Sequence, residues 1–399
     1  MASQEPEKHE NRGASPAPMA DALAPKGDAR DAADPSVELR LSMKGWLIVG
    51  GLVVLLSVGV PRWYGYVERF EPQINYRIPR SQTEDYWQVH RWSHVARESH
   101  EVLYVGDSVV WGEFAAPDES ITAKLNELAE ETQFANVGLK GLPPLALKHL
   151  LIDVLQVERS WLSRSGAPPR VVLHFNPIWL TSPQRDLSDP AETMVNHQSM
   201  LPQFQLNLPA YQPTWNDRLS RTISRRTAWF RWSRHLQITN FDDQDFHRWT
   251  LEHPVEWPGS TIRTVSLEPS PEPAQQARSQ RTLPGTRDYD WIAADDSFQY
   301  RGFLGAVEAC RQANIELYCV IGQLDVNPQT IESRETEAEI LRSLERDLDQ
   351  LGVPHERLPV DSKWMADASH PLPAGYQEQA QSLWESRSFQ AWLAGETSE

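Results

Sequence analysis

Cysteine is almost missing from this chain of 399 residues: only Cys310 and Cys319 occur. Lying nine residues apart, on what read as a helix and the strand after it, they make no disulfide framework and are expected to be two buried thiols. No Cys/His cluster has zinc-ligand spacing, no glycine loop is of the phosphate-cradling kind, and no dinucleotide-binding fingerprint occurs. The sequence therefore points to neither a metal nor a nucleotide cofactor. Cationic excess is absent too. Lys and Arg number 38 against 55 Asp and Glu, for a formal net charge of -17, and such a chain lacks the cationic face that a phosphate backbone requires. Nucleic acid is excluded as the main partner.

Larger apolar side chains are scarce in residues 1–39, where only Met1, Met19, Leu23, Val37 and Leu39 interrupt a tract rich in Ala, Pro, Asp and Glu. That tail is expected to be disordered. Residues 45–61 then form an uncharged run of 17 between Lys44 and Arg62. At 1.5 Å per residue a helix of this length reaches about 25 Å, and snorkelling Lys44 and Arg62 with Trp63 and Tyr64 can complete a membrane crossing. Residues 40–62 are read as a single-pass anchor meeting the membrane through 45–61. The alternatives are a buried core helix and a cleaved signal peptide, for which Val58-Gly-Val-Pro-Arg62 offers no small-residue cleavage site. Arg40 and Lys44 are balanced by Arg62 and Arg69, so charge leaves the orientation open.

Residues 63–100 read as a polar, aromatic-sprinkled stalk. From Glu101 a β-α rhythm begins: a strand ending at Gly106, a helix over 120–132, a strand at 134–137, a helical period through Leu145, Leu147, Leu150, Leu151 and Val154, and a strand at 171–174. It resumes with helices over 302–313 and 329–351, a strand at 316–321 and a closing helix over 373–393. Repeated β-α-β units predict an α/β fold with a mostly parallel sheet. The domain is split, 101–182 and 300–395, around an insertion or lid at 183–299 where the rhythm disappears. Within the insertion, residues 214–235 carry six arginines (218, 221, 225, 226, 231 and 234) interleaved with Trp215, Trp229, Phe230 and Trp232. This island reads as a platform that stacks sugar rings or rests on anionic lipid, or else as a cap helix with a solvated basic face. Residues 266–289 read as a flexible loop.

Chemistry is suggested by Gly106-Asp107-Ser108 at the end of the first strand and Asp367-Ala-Ser-His370-Pro371 near the other end of the chain. A serine hydroxyl needs a positioned base, normally a histidine oriented by a carboxylate. With Asp367 and His370 three residues apart, one turn can set the carboxylate beside Nδ1 and leave Nε2 for Ser108; Asp361 competes for the orienting role. Asp107 reads as a turn-fixing carboxylate, and His174 as lining a pocket or sitting in the core.

These blocks, with Asn136-Val-Gly138-Leu-Lys-Gly141 and Asn176 after the run Arg170-Val-Val-Leu, resemble in order the SGNH, or GDSL, hydrolase superfamily. His174 and Pro177 stand where that family usually has Gly and Asp around the asparagine. The resemblance implies a three-layer α/β/α fold of flavodoxin-like type, Ser108, His370 and Asp367 as a catalytic triad, and an oxyanion hole from Ser108, Gly141 and Asn176. It further implies an esterase or O-acyltransferase acting on an acylated carbohydrate or small ester, with its domain outside the cytoplasm. A multi-span membrane O-acyltransferase is then an expected partner. The competing class is a non-catalytic scaffold or carbohydrate-binding protein of the same fold.

Overall fold

The computed structural model describes residues 42–72, 75–131, 133–157, 169–191, 196–204, 207–241, 243–254 and 285–395. The tail at 1–39 and residues 266–284 of the loop lie outside them. The chain divides into two units, Met1–Gly51 and Leu52–Glu399. Helix α1, Met43–Val67, starts in the first and ends in the second. Its most apolar 18-residue stretch has a mean hydropathy of 2.0, it exposes most of its apolar side chains up to Val58, and it is long and apolar enough to cross a membrane.

The second unit is an α/β domain. Helix α2 (Tyr86–Glu98) precedes β1 (Val102–Gly106), which leads into the short α3 (Ser108–Trp111) and α4 (Ile121–Ala129). After β2 (Phe134–Gly138), α5 (Pro144–His149) runs into a π turn at Leu150–Val154, and β3 (Arg170–Phe175) follows. Helices α6 (Pro183–Asp186), α7 (Trp215–Arg226), α8 (Ala228–Asn240) and α9 (Phe246–Glu252) occupy the insertion. The second half comprises α10 (Phe298–Gln312), β4 (Glu316–Ile321), α11 (Ile331–Gln350), β5 (His355–Arg357), α12 (Pro373–Glu385) and α13 (Arg387–Leu393).

All five strands are parallel, in the order β2-β1-β3-β4-β5. Parallel strands are covered on both faces and read as nearly continuous apolar runs. Their period-2 side chains divide cleanly. Leu103, Val105, Val171, Leu173, Phe175, Cys319 and Ile321 enter one core with α2, α5, α10 and α11. Val102, Tyr104, Val172, Tyr318 and Val320 enter the other with α3, α4, α12 and α13. The expected three-layer α/β/α arrangement is the one observed.

Three segments differ from the sequence reading. The expected stalk is part of the domain: Tyr76, Ile78, Val89, Trp92 and Ala96 are buried in the first core, because the aromatic residues of this stretch fall on one face of α2 and the segment before it. The insertion also contributes core residues, including Met200, Leu201 and Tyr211. Its basic island is not a solvated face, since Arg225 and Arg231 are buried and α7 and α8 pack on each other, on α2 and on the π turn. Finally, the closing helix breaks at Ser386 into α12 and α13. Cys310 and Cys319 are both free and buried, as expected.

Candidate active site

In an open parallel sheet, ligands sit beyond the strand carboxyl ends where the order reverses. Here that point lies between β1 and β3. Gly138, which ends β2, packs so closely on Trp111 that a Cβ there would overlap the α3 backbone. Asp107 caps α3, its Oδ1 accepting from the Val109 N–H at 3.0 Å. Arg77 lies over the Trp111 ring and donates to the Trp111 and Gly112 carbonyls at 2.9 and 2.8 Å. Ser108, the first residue of α3, is thereby fixed at the sheet edge.

From the other end of the chain, the turn before α12 brings His370 to it. Ser108 Oγ and His370 Nε2 are 2.8 Å apart. His370 Nδ1 lies 2.9 Å from both Asp367 oxygens. Asp367 Oδ1 also accepts the backbone N–H groups of Ser369 and His370 at 2.9 Å each, which locks the turn. The Phe114 ring stands edge-on to His370, 5.6 Å between centroids. Asp361 instead caps the turn at 362–364 and pairs with Lys363; it takes no part in this chain of contacts.

Burial alone would drive the proton off His370, but the Asp367 carboxylate, with Asp107 and Glu113 nearby, outweighs it and raises the imidazole pKa. Burial works the other way on Asp367, and the hydrogen bonds and charge of His370 overcome it, holding that carboxyl at about 2. Asp367 is thus ionised at neutral pH. His174 is a core residue, buried between the ends of β1 and β4, and burial lowers its pKa to about 4, leaving it neutral.

The two other expected residues, Gly141 and Asn176, follow β2 and β3. Gly141 adopts φ +71°, a left-handed conformation suited to glycine, and Asn196 packs where a Cβ would project. Asn176, directly after β3, accepts from the Ile178 N–H at 3.1 Å and donates through Nδ2 to Asp107 Oδ2 at 2.8 Å. One of its two amide hydrogens is therefore committed to Asp107. Trp179 Nε1 donates to the same oxygen at 2.8 Å; nothing in the sequence distinguishes this tryptophan beyond its position three residues after Asn176. Near Gly141, Glu113 pairs with Lys140 at 3.0 Å and with Arg80 at 2.9 Å. Lys140 and Asn196 belong to the wall of a polar cavity of about 290 Å³ that also includes Thr83, Glu84, Arg234 and Asp243. A second cavity, about 600 Å³, is lined by insertion residues such as Phe230 and Phe246 and by none of the three residues joined at Ser108. Among the described residues no cluster of His, Cys, Asp or Glu could hold a metal ion.

No protein-family model matches the sequence, and no curated protein matches it. Among solved structures, the chain is similar to a protein described as lipolytic and of the G-D-S-L family from Desulfitobacterium hafniense DCB-2, at 10% identity and a TM-score of 0.32, over 71% of this chain and 96% of that one. It is also similar to a carbohydrate acetylesterase family member from Sinorhizobium meliloti, at 10% identity and a TM-score of 0.28, over 71% and 95%. At such scores the fold assignment rests on the strand order and its two cores.

Proposed function

We propose that this protein is a membrane-anchored serine esterase or O-acyltransferase of the SGNH type, acting on acyl esters, acetyl foremost, of an envelope polysaccharide outside the cytoplasm. The observation that carries the catalytic part is the continuous contact from Ser108 Oγ through His370 to an Asp367 held ionised. Ser108 Oγ attacks the ester carbonyl carbon while His370 Nε2 takes its proton. The oxyanion is held by the N–H groups of Ser108 and Gly141 and by the remaining amide hydrogen of Asn176. His370 then returns the proton to the leaving alkoxide, the C–O bond breaks, and the acyl group stays on Ser108. An acceptor O–H, from water in an esterase or a sugar hydroxyl in a transferase, loses its proton to His370 and attacks the acyl carbon. Ser108 departs with that proton. The polar cavity beside Gly141 supports a hydroxyl-rich leaving group or acceptor.

The test is labelling by a fluorophosphonate, which modifies an activated serine and ignores an inert one. Wild type is expected to label and Ser108→Ala not to. An unlabelled wild type that is folded and binds carbohydrate would support the scaffold reading.

A further inference from the structure

Helix α7 is turned inside out with respect to charge. Arg218, Arg221 and Arg225 repeat at helical spacing on its inner side: Arg218 donates to the Gln203 carbonyl, Arg221 to the Tyr211 hydroxyl, and Arg225 Nε pairs with Asp153 at 2.8 Å. Trp215, Leu219 and Ile223 repeat four apart on its outer side, 69%, 47% and 43% exposed. The ring of Phe204, 50% exposed, packs against Trp215 with centroids 5.1 Å apart and widens the stripe. A helix of a water-soluble domain does the reverse, burying its apolar stripe and wetting its cations.

This surface is not scattered chance. Beyond α1, the exposed large apolar side chains among the described residues are seven lying between Phe204 and Leu251, and Ile331. Contiguous exposed apolar area of this kind marks a surface that water does not cover in the working state. Continuity points to the occupant. Helix α7 packs on α8, and α8 is fixed to the last turns of α1: Tyr64 stacks edge-on against Trp232 and His235 at 5.8 and 5.9 Å, and His235 Nε2 lies 2.7 Å from Glu68 Oε1. The inverted helix is thus joined through one neighbour to the end of α1, the one helix among the described residues long and apolar enough to cross a membrane.

We propose that the outer face of α7, Trp215, Leu219 and Ile223 with Phe204, rests in the lipid–water interface of the bilayer that α1 crosses. Tryptophan suits the headgroup level, and Leu219 and Ile223 enter the acyl boundary. The inference rests on α1 as an anchor and is independent of the catalytic reading. It also reverses the role that sequence alone gives the basic island: the interface is met by the apolar side chains, and most of the arginines hold the helix from behind.

The test uses the full chain in phosphatidylethanolamine/phosphatidylglycerol nanodiscs. Leu219→Cys, Ile223→Cys and, as reference, Ile331→Cys are labelled singly with an environment-sensitive fluorophore; Cys310 and Cys319 are buried and stay in place. Blue-shifted emission and quenching by shallow doxyl lipids at 219 and 223, with neither at 331, is the expected result. Equal quenching at all three sites overturns the proposal. So does a blue shift at 219 and 223 without lipid quenching, which would assign the face to a second copy or another protein. If α1 does not insert, the anchor reading fails and takes this proposal with it; an inserted α1 with 219 and 223 unquenched overturns the proposal alone.

Discussion

The side-chain amide of Asn176 donates to Asp107 Oδ2 at 2.8 Å, tying the residue after β3 to the residue after β1 where the sheet order reverses. The Asp107 carboxylate, holding Val109, Asn176 and Trp179 at once, acts as a knot beneath Ser108. Asn176→Ala should therefore show two effects. Stability should fall by about 1–3 kcal/mol, because a buried acceptor loses a donor, and kcat should fall by about 10²–10³-fold if the second amide hydrogen faces the oxyanion. Denaturant unfolding and steady-state kinetics measure the two separately. A stability loss with unchanged kcat would remove Asn176 from the oxyanion hole and leave it as a strut.

Ser108→Ala and His370→Ala should each lower turnover of an activated acetyl ester on the order of 10⁴-fold or more, with little change in melting temperature. The double variant should be no worse than either single one, since nucleophile and base act as a unit. Additive losses would contradict that coupling. Asp367→Asn should also be severely impaired, as an amide favours the wrong imidazole tautomer, whereas Asp361→Asn should stay near wild type.

The pH profile has a fixed sign. A base must be neutral to take a proton, and Asp367 raises the His370 pKa. Activity should be low in acid and rise through an apparent pKa above the ordinary histidine value of about 6.5. A rise centred well below that value would mean that the catalytic imidazole is not the one held by Asp367.

Stability should carry the opposite sign through His235. Buried between Asp85 and Glu68 at 2.7 Å from each, this imidazole loses solvation, yet the two carboxylates more than compensate and raise its pKa to about 9. A raised folded pKa contributes stability fully below the unfolded value of about 6.5 and loses it as pH climbs through 9. Wild type should therefore weaken between these limits by more than His235→Gln does. The substitution itself should cost about 3–5 kcal/mol near neutrality, by leaving two buried carboxylates without their shared cation. Urea titrations from pH 6 to 10 would show both.

The strand order and its covering helices were largely legible, because parallel strands announce themselves as β-branched runs such as Arg170-Val-Val-Leu and helices as apolar periods. That Ser108, His370 and Asp367 meet was legible because the chemistry expected of them demands three residue types in a known geometric relation. The segment 63–100 was not: Tyr76, Trp87 and Trp92 are spaced among polar residues, and only a partner surface reveals that they point inward. The basic island misled for a related reason. Charge counted along the chain cannot tell an arginine in solvent from one that, like Arg225, is paired with a buried Asp153 from another helix. Trp179 escaped because its work is one indole hydrogen bond, which no spacing encodes.

If α1 is the anchor, the full-length chain should remain with membranes after high-salt washing, and deleting residues 1–62 should release a soluble, folded domain. The cut leaves Tyr64 and Glu68, which pack on α2 and α8. Circular dichroism and ultracentrifugation of both forms measure the outcome; full-length protein recovered in solution without detergent would argue against the anchor.

Tyr64 and Glu68 have a further meaning for reach. An enzyme on a flexible leash samples a hemisphere, and its encounter rate with substrate depends on leash length. Trp87, Trp232, His235 and Arg91 clamp Tyr64 in the last turn of α1 and Glu68 just after it; if α1 is the anchor, the domain would hang from a fixed bracket. Esters would have to come to Ser108 rather than be searched for. Inserting a Gly/Ser spacer after Val67 would turn the bracket into a leash, widening the range of accessible esters while lowering turnover of those already within range.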